Sequence, residues 1–283
     1  MEQGWHLHVG GVRLIASLAR RRALVENAGR EQESFAQRLG KENEILDVNA
    51  VDFSYKPGTP VLMNVGFQIG SNEIVALVGP NGSGKSTLIK LVVDLLHLRE
   101  GSIRLGGDES SSRNAKMRSM YLASNDYVPE FLTGFEYLRF ISSLYGEKLH
   151  RDAATAMFSR YQMAGRQDDL IEDYSHGMRK KLQIIAALLL KRDLTIIDET
   201  LNGVDLDAIY TFEKDIALLA QEGRSVVLCS HDFAMLQRVS HRLLFLAHGF
   251  LVNDSTMTEV LEEEGSIDSV VREYLVEAAD EVT

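Results

Sequence analysis

Gly79-Pro80-Asn81-Gly82-Ser83-Gly84-Lys85-Ser86-Thr87 follows directly on the apolar run Ile74-Val75-Ala76-Leu77-Val78, and this junction decides the fold. Five consecutive apolar residues bounded by a Gly-rich turn read as a buried parallel strand. A helical pattern begins near Ser86. Strand, glycine loop and helix in that order form the context of a phosphate-binding loop. The glycines let successive backbone N–H groups turn inward around phosphate oxygens, and the new helix points its positive end at the same place. Lys85 is then expected to reach the β- and γ-phosphates of a nucleoside triphosphate, and the Ser86 hydroxyl to ligate Mg²⁺. The competing reading is an ordinary Gly-rich turn, which the register of Gly-Lys-Ser and both flanks oppose.

Outward from this junction the chain reads as strands alternating with helices. Residues 45–55 and 61–69 are apolar runs flanking Lys56-Pro57-Gly58-Thr59-Pro60 and predict an antiparallel strand pair. A helix is expected over about 86–97, a short strand at 102–105, a polar loop over 108–118 and a strand at 120–123. Residues 124–175 turn helical, with amphipathic segments at 135–145 and 153–163, and a long helix covers roughly 175–191. Strand patterns return at 194–197, 226–229, 243–246 and 250–252, with a helix over 207–221. The whole predicts an α/β fold carrying an antiparallel β portion and a helical insertion at about 124–175.

Residues 1–44 stand apart. Arg20-Arg21-Arg22 and a polar run through Lys41 suggest exposed helices or a disordered extension. Residues 12–18 are weakly amphipathic, which fits membrane-surface contact or, as the alternative, a solvated tail or mis-start segment. No role is assigned to them.

Composition narrows the class. The chain has 283 residues, 45% hydrophobic and 25% charged, as in ordinary globular proteins. A net charge of −11 argues against a general nucleic-acid binder. Cys229 is the only cysteine, which excludes an intrachain disulfide and fits a reducing compartment. It sits in an apolar run and reads as a buried strand thiol. No apolar stretch approaches the roughly 20 residues of a membrane span, and no secretory signal is legible. A cytoplasmic chain is expected, with any membrane role exercised through a partner.

Thr195-Ile196-Ile197-Asp198-Glu199 is an apolar strand ending in two carboxylates. Beside a phosphate loop, Asp198 is the candidate to complete a Mg²⁺ site and Glu199 the candidate general base. A solvent-exposed acidic strand end is the alternative. His231 follows the 226–229 strand, where carboxyl ends face the ligand crevice of a parallel sheet. It either hydrogen-bonds a γ-phosphate or is structural. Ser175 is a good N-cap for the following helix, and a small residue with Gly177 beside it suits close approach of phosphate.

Taken in order, these pieces resemble the nucleotide-binding subunit of an ABC transporter over about residues 45–258. The 79–87 loop matches the family's Walker A, and Tyr174 to Met178 (with Ser175, His176 and Gly177) its signature. Asp198 and Glu199 match Walker B and the catalytic glutamate, Asp205 the D-loop, and His231 the switch histidine. Tyr55 matches the aromatic that stacks on adenine, a contact of about 1–3 kcal/mol by analogy with base–aromatic stacking. The resemblance implies a P-loop core of ABC-ATPase type over 45–283, ATP and Mg²⁺ as ligands, and catalysis by Glu199, His231 and Lys85. It implies two cassettes paired head to tail, a homodimer in the simplest case, with each signature meeting the γ-phosphate of its partner's ATP. The 124–175 insertion would dock a separate transmembrane permease, which places the chain at the cytoplasmic face of the membrane. An exporter of peptide, antibiotic or lipidic cargo is the expected type. The alternative is a soluble ABC-type ATPase acting on ribosomes or DNA; a third is a regulatory cassette that hydrolyses ATP poorly.

Several positions depart from the family pattern. Ser124 stands where glutamine is usual and is too short to reach Mg²⁺ as glutamine does. Asn125 or Asp126 then substitutes, or water fills the gap, and Ser124 is a candidate Mg²⁺ contact only at that reach. His176 and Met178 replace Gly and Gln in the signature. Thr200 replaces the usual proline after Glu199, a change expected to be tolerated.

Overall fold

The computed structural model describes residues 43–280; the reading of 1–44 therefore falls almost wholly outside the described residues. Two sheets organise the chain. The first is antiparallel, in the order β2-β1-β4-β5, built from β1 (Glu44–Lys56), β2 (Thr59–Gly70), β4 (Glu100–Leu105) and β5 (Asp108–Glu109). The second holds β3 (Ile74–Val78), β6 (Ser119–Leu122), β7 (Leu194–Asp198), β8 (Ser225–Cys229), β9 (Arg242–Ala247) and β10 (Phe250–Thr256). Its order is β10-β9-β3-β8-β7-β6. All its pairings are parallel except β10 with β9. Every residue of β3, β7, β8 and β9 is buried. Burial on both faces is why those strands read as continuous rather than alternating apolar runs.

The helices are α1 (Lys85–Val92), α2 (Arg113–Arg118), α3 (Gly134–Leu144), α4 (Arg151–Arg160), α5 (His176–Leu190), α6 (Leu206–Gln221), α7 (Phe233–Val239), α8 (Met257–Glu263) and α9 (Ile267–Asp280). The predicted α/β architecture, antiparallel portion and helical insertion are all present. The insertion runs through α3 and α4 to a 3-10 turn at Ile171–Asp173, and α5 follows. A capping box opens α3: the Thr133 hydroxyl accepts from Glu136 N–H, and the Glu136 carboxylate accepts from Thr133 N–H. The insertion is tied to the core by Arg160, whose Nε lies 2.9 and 3.0 Å from the two carboxylate oxygens of Asp215 on α6. Tyr161 Oη donates to the same carboxylate at 3.0 Å.

Three sequence expectations need correction. The helix expected to reach residue 97 ends at Val92. Asp94 takes the left-handed conformation (φ 55°), and the N–H groups of Leu95 and Leu96 both turn back to Lys90 O, a C-terminal cap that stops the helix. The expected polar loop over 108–118 contains β5 and α2; Ser112 caps α2 by accepting from Ala115 N–H at 3.1 Å, and Ala115 is buried. Finally, α7, α8 and α9 form where no helix was expected; Thr256 and Glu259 supply α8 with its own capping box.

Candidate active site

The glycine loop leaves the carboxyl end of β3 and enters α1, with β8 on one side of β3 and β9 on the other. Gly79 has no room for a side chain: a Cβ there would lie 2.0 Å from Leu246 O. Gly82 and Gly84 hold φ of 81° and 109°, which other residues rarely adopt. Lys85 is buried, and its ammonium lies back over the loop, donating to Gly79 O at 2.7 Å and Pro80 O at 3.1 Å. Ser83 is also buried, and its hydroxyl finds no hydrogen-bond partner among the described residues. A buried hydroxyl without a partner in this glycine loop fits a phosphate-shaped ligand. Pro80 and Asn81 form the outer bend of the loop, and Ser86 is exposed on the first turn of α1. Thr87 faces Tyr55, whose Oη lies 3.1 Å from the Thr87 hydroxyl. Tyr55 packs edge-on against Phe53 and keeps more than half of its surface open, so a planar group has a ring to lie against.

Asp198 ends β7, in register with Cys229 at the end of β8. Burial pushes its carboxyl above the usual range, although hydrogen bonds from Cys229 and Tyr121 oppose the rise; Glu199 adds to it and Lys85 lowers it. A buried carboxylate held at that cost suits a cation, which would restore its charged form. Among the described residues no cluster of three or more His, Cys, Asp or Glu side chains forms a protein cage for a metal.

Glu199 follows Asp198 in the left-handed conformation (φ 53°), its N–H donating to Cys229 O at 2.8 Å. For a non-glycine residue this backbone is strained, by roughly 1–3 kcal/mol. The turn aims the Glu199 carboxylate at His231, Nε2 to Oε1 3.0 Å. The structure thus brings two of the expected catalytic side chains into contact.

Ser175 caps α5 as expected, accepting from Met178 N–H at 3.3 Å. Ser175 and His176 are exposed, with Gly177 and Met178 partly covered. A Cβ on Gly177 would lie 2.8 Å from Gly203 O, so this helix start and the 202–205 turn touch. Asp205 caps α6 and pairs with Lys181. Burial raises the Asp205 carboxyl, but Lys181 and the Ala208 N–H outweigh it and leave it below the usual range. Lys180 and Lys181 lie on the first turns of α5. Both are buried, and Lys180 Nζ donates to Asn202 O at 2.7 Å, so the two lysines fasten α5 to the 202–205 turn. Tyr121, read as one residue of an apolar strand, donates to Asp198 Oδ2 at 3.3 Å. Its position on β6 beside β7 was the available signal.

Ser124 is exposed, and the side chains of its two neighbours make contacts of their own. Asp126 Oδ2 pairs with His176 Nδ1 at 2.6 Å, and Asn125 Oδ1 accepts from Tyr127 N–H at 3.4 Å.

This fold and loop geometry define a P-loop nucleotide-binding cassette. The ABC transporter family profile matches residues 62–202. The ABC-type transporter ATP-binding protein EcsA of Bacillus subtilis is 30% identical over 226 residues, 78% of this chain and 92% of that one. A fluoroquinolones export ATP-binding protein of Mycobacterium tuberculosis is 29% identical over 224 residues, 77% of this chain and 72% of that one. A solved ATP-binding subunit of an ABC transporter superposes with a TM-score of 0.73 at 27% identity, covering 79% of this chain and 96% of that one. In other relatives the matched region spans 66% or 43% of the protein. The chain belongs to the ATP-binding subunits of ABC transporters and is an ATPase of that class. No helix among the described residues is long and apolar enough to cross a membrane.

Proposed function

We propose that this chain hydrolyses ATP to drive a separate transmembrane permease, at whose cytoplasmic face it sits, and that the transporter is an exporter. The observation that carries the hydrolytic part is the Glu199–His231 contact at the carboxyl ends of adjacent strands β7 and β8. In this reading the 79–87 loop and Lys85 hold the triphosphate, and Tyr55 stacks on adenine. Glu199 takes a proton from the water that attacks the γ-phosphorus while the bond to the bridging oxygen breaks. His231 orients the Glu199 carboxylate and contacts the γ-phosphate. Ser86 and Asp198 hold Mg²⁺, which supplies charge neutralisation on the phosphates when bound. Ser124 is too short to add a direct ligand.

Two such chains pair head to tail in this reading, so that Ser175, His176, Gly177 and Met178 face the partner's ATP, with Asp205 at the shared seam. Closure on ATP and reopening after hydrolysis form a two-state equilibrium biased by ligand and reset by phosphoryl transfer. The permease docks on the insertion, where Tyr127 and Phe131 are 86% and 79% exposed and Phe140 and Leu144 are exposed on α3. Large apolar side chains left open to water in one region suit a protein partner. Export of an antibiotic, peptide or lipidic compound is supported by the drug-export relative.

Purifying the tagged chain from detergent-solubilised native membranes and identifying its companions by mass spectrometry tests the proposal. A stoichiometric multi-span membrane protein is expected. Ribosomal proteins or nucleic-acid factors in its place would leave the ATPase standing and overturn the transport assignment.

A further inference from the structure

Strands β9 and β10 are joined by two residues, His248 and Gly249, with Ala247 paired to Phe250 across the turn. Both residues take positive φ, 47° and 83°, as in the type I′ turn that suits the twist of a hairpin. Glycine adopts this backbone freely, and histidine is among the few other residues enriched there. The turn is packed into the molecule. Gly249 is buried, and a Cβ on it would lie 2.5 Å from Val61 O.

The backbone of Gly249 ties the glycine loop to the antiparallel sheet. Its N–H donates to Ser83 O at 3.1 Å, inside the loop, and its carbonyl accepts from Met63 N–H of β2 at 2.8 Å. Leu246, just before the turn, closes on Gly79 through its carbonyl, and its side chain would lie 3.5 Å from a Cβ on Gly84. The loop therefore rests on the end of β9 at Gly79, Ser83 and Gly84. A displaced turn would carry the Ser83 carbonyl with it, and so the residue whose buried hydroxyl is left without a partner.

On its other side the turn meets α9. The Tyr274 ring lies 5.8 Å from the His248 imidazole, tilted by 44°, and stands edge-on to Phe245 at 5.3 Å. Phe245 is buried on β9 in register with Val78, the residue that precedes the glycine loop. Val270 and Val271 pack against the core on the same helix. One ring thus touches both the left-handed residue of the turn and the strand beneath it.

We propose that Tyr274 of α9 and the His248-Gly249 turn are positioning residues for the phosphate loop, so that docking of α9 on the end of β9 raises the affinity for nucleoside triphosphate. Only the loop enters here; neither a permease nor a direction of transport is required.

The full-length chain is titrated with a fluorescent ATP analogue in the presence of Mg²⁺, and amide exchange over residues 267–276 is followed with and without it. Tyr274→Ala removes the ring and Tyr274→Phe keeps it. His248→Asn keeps a residue suited to the turn but removes the imidazole. Tyr274→Ala is expected to weaken analogue binding by at least about fivefold, the low end of coupling between sites, and Tyr274→Phe to stay within about twofold of wild type. Coupling is reciprocal. The analogue is therefore expected to slow exchange over 267–276 in wild type and Tyr274→Phe, and to leave it unchanged in Tyr274→Ala. His248→Asn is expected to weaken binding alone but to add little to Tyr274→Ala, because the two side chains act through one contact. A ring that only stabilises the fold would lower the melting temperature of Tyr274→Ala and leave affinity unchanged, which overturns the proposal. Equal weakening in Tyr274→Phe, or wild-type exchange over 267–276 indifferent to the analogue, overturns it too. If Tyr274→Ala does not fold, His248→Asn decides: wild-type affinity in that variant overturns the proposal. A wild-type chain without affinity for the analogue fails the reading of 79–87 as a phosphate loop, and this inference with it. Wild-type binding indifferent to Tyr274 fails the inference alone.

Discussion

Nε2 of His231 stands 3.0 Å from Oε1 of Glu199, across the ends of two parallel strands whose register places Asp198 beside Cys229. The pair arises because Glu199 turns through a left-handed backbone immediately after its strand and His231 follows the neighbouring strand by two residues. In the proposed reading this carboxylate, oriented by the imidazole, takes a proton from water. Glu199→Gln is therefore expected to reduce ATP turnover about 10²–10⁴-fold, leave ATP binding intact and accumulate an ATP-bound dimer. His231→Ala removes a charge-assisted hydrogen bond, a loss on the order of 10–100-fold in kcat. Steady-state hydrolysis and size-exclusion chromatography with ATP measure both. Unchanged turnover in Glu199→Gln would remove Glu199 from the role of base.

How much of this was legible in the sequence follows from range. The glycine loop, Asp198 and Glu199 could be read because strand, turn and helix signals are local. Ser175 announced its cap, and helices α3 and α4 of the insertion fall close to where amphipathic periodicity put them. The strand-end carboxylates could not be distinguished from a solvent-exposed pair by their own chemistry, since that depends on β8 lying alongside with His231 at its end. Thr200 looked like a neutral replacement because its partners across the sheet, the carbonyls of Leu122 and Ala123, are 78 and 77 residues away. Nothing local shows that the 202–205 turn packs on the face of α5 that carries Lys180 and Lys181. Helix ends set by a single left-handed residue, as at Asp94, carry no sequence periodicity at all.

Arg242 on β9 is 2% exposed and grips Asp254 on β10 with both arms, Nε to Oδ1 2.5 Å and Nη2 to Oδ2 2.6 Å. Its third nitrogen donates to Gln68 O on β2 at 2.7 Å and to Glu73 at 3.2 Å, so one side chain joins the two sheets. Removing one member of a buried pair strands the other charge, at a cost of about 3–5 kcal/mol. Asp254→Ala is expected to lower stability by roughly that amount in urea titration, whereas Arg242→Met with Asp254→Leu recovers most of it. A loss below about 1 kcal/mol in Asp254→Ala would show that Glu73 and Gln68 satisfy the guanidinium unaided.

Thr195 makes the opposite case. Its side chain lies among Leu122, Ile184, Phe212 and Ile216, and its hydroxyl has no hydrogen-bond partner among the described residues. An unsatisfied buried hydroxyl costs about 1–3 kcal/mol, and a valine of the same shape removes that cost. Thr195→Val is expected to raise stability by about 1 kcal/mol with ATP turnover unchanged. Destabilisation on this substitution would mean that the hydroxyl is satisfied in solution, by a buried water for instance.

Cys229 offers a probe of the same strand ends. Burial pushes its thiol up to about 12, with the Asp198 carboxylate adding to the rise and Lys85 opposing it. Unfolded, the group returns to about 8.5. At pH 8 the folded chain therefore holds on the order of a thousandfold less thiolate, and burial restricts access further. Alkylation of the native chain by N-ethylmaleimide should be slower than alkylation in guanidinium by at least that factor, and slower again with ATP and Mg²⁺ bound. Native labelling at the unfolded rate would mean that the end of β8 is open to solvent. Because the folded pKa is raised, the thiol's contribution to stability is fully present below the unfolded value and is lost as pH rises toward the folded one. Between pH 8 and pH 10.5 wild type should thus lose stability faster than Cys229→Ala, in thermal melts run in parallel. Equal slopes for the two chains would show that the thiol titrates alike in both states.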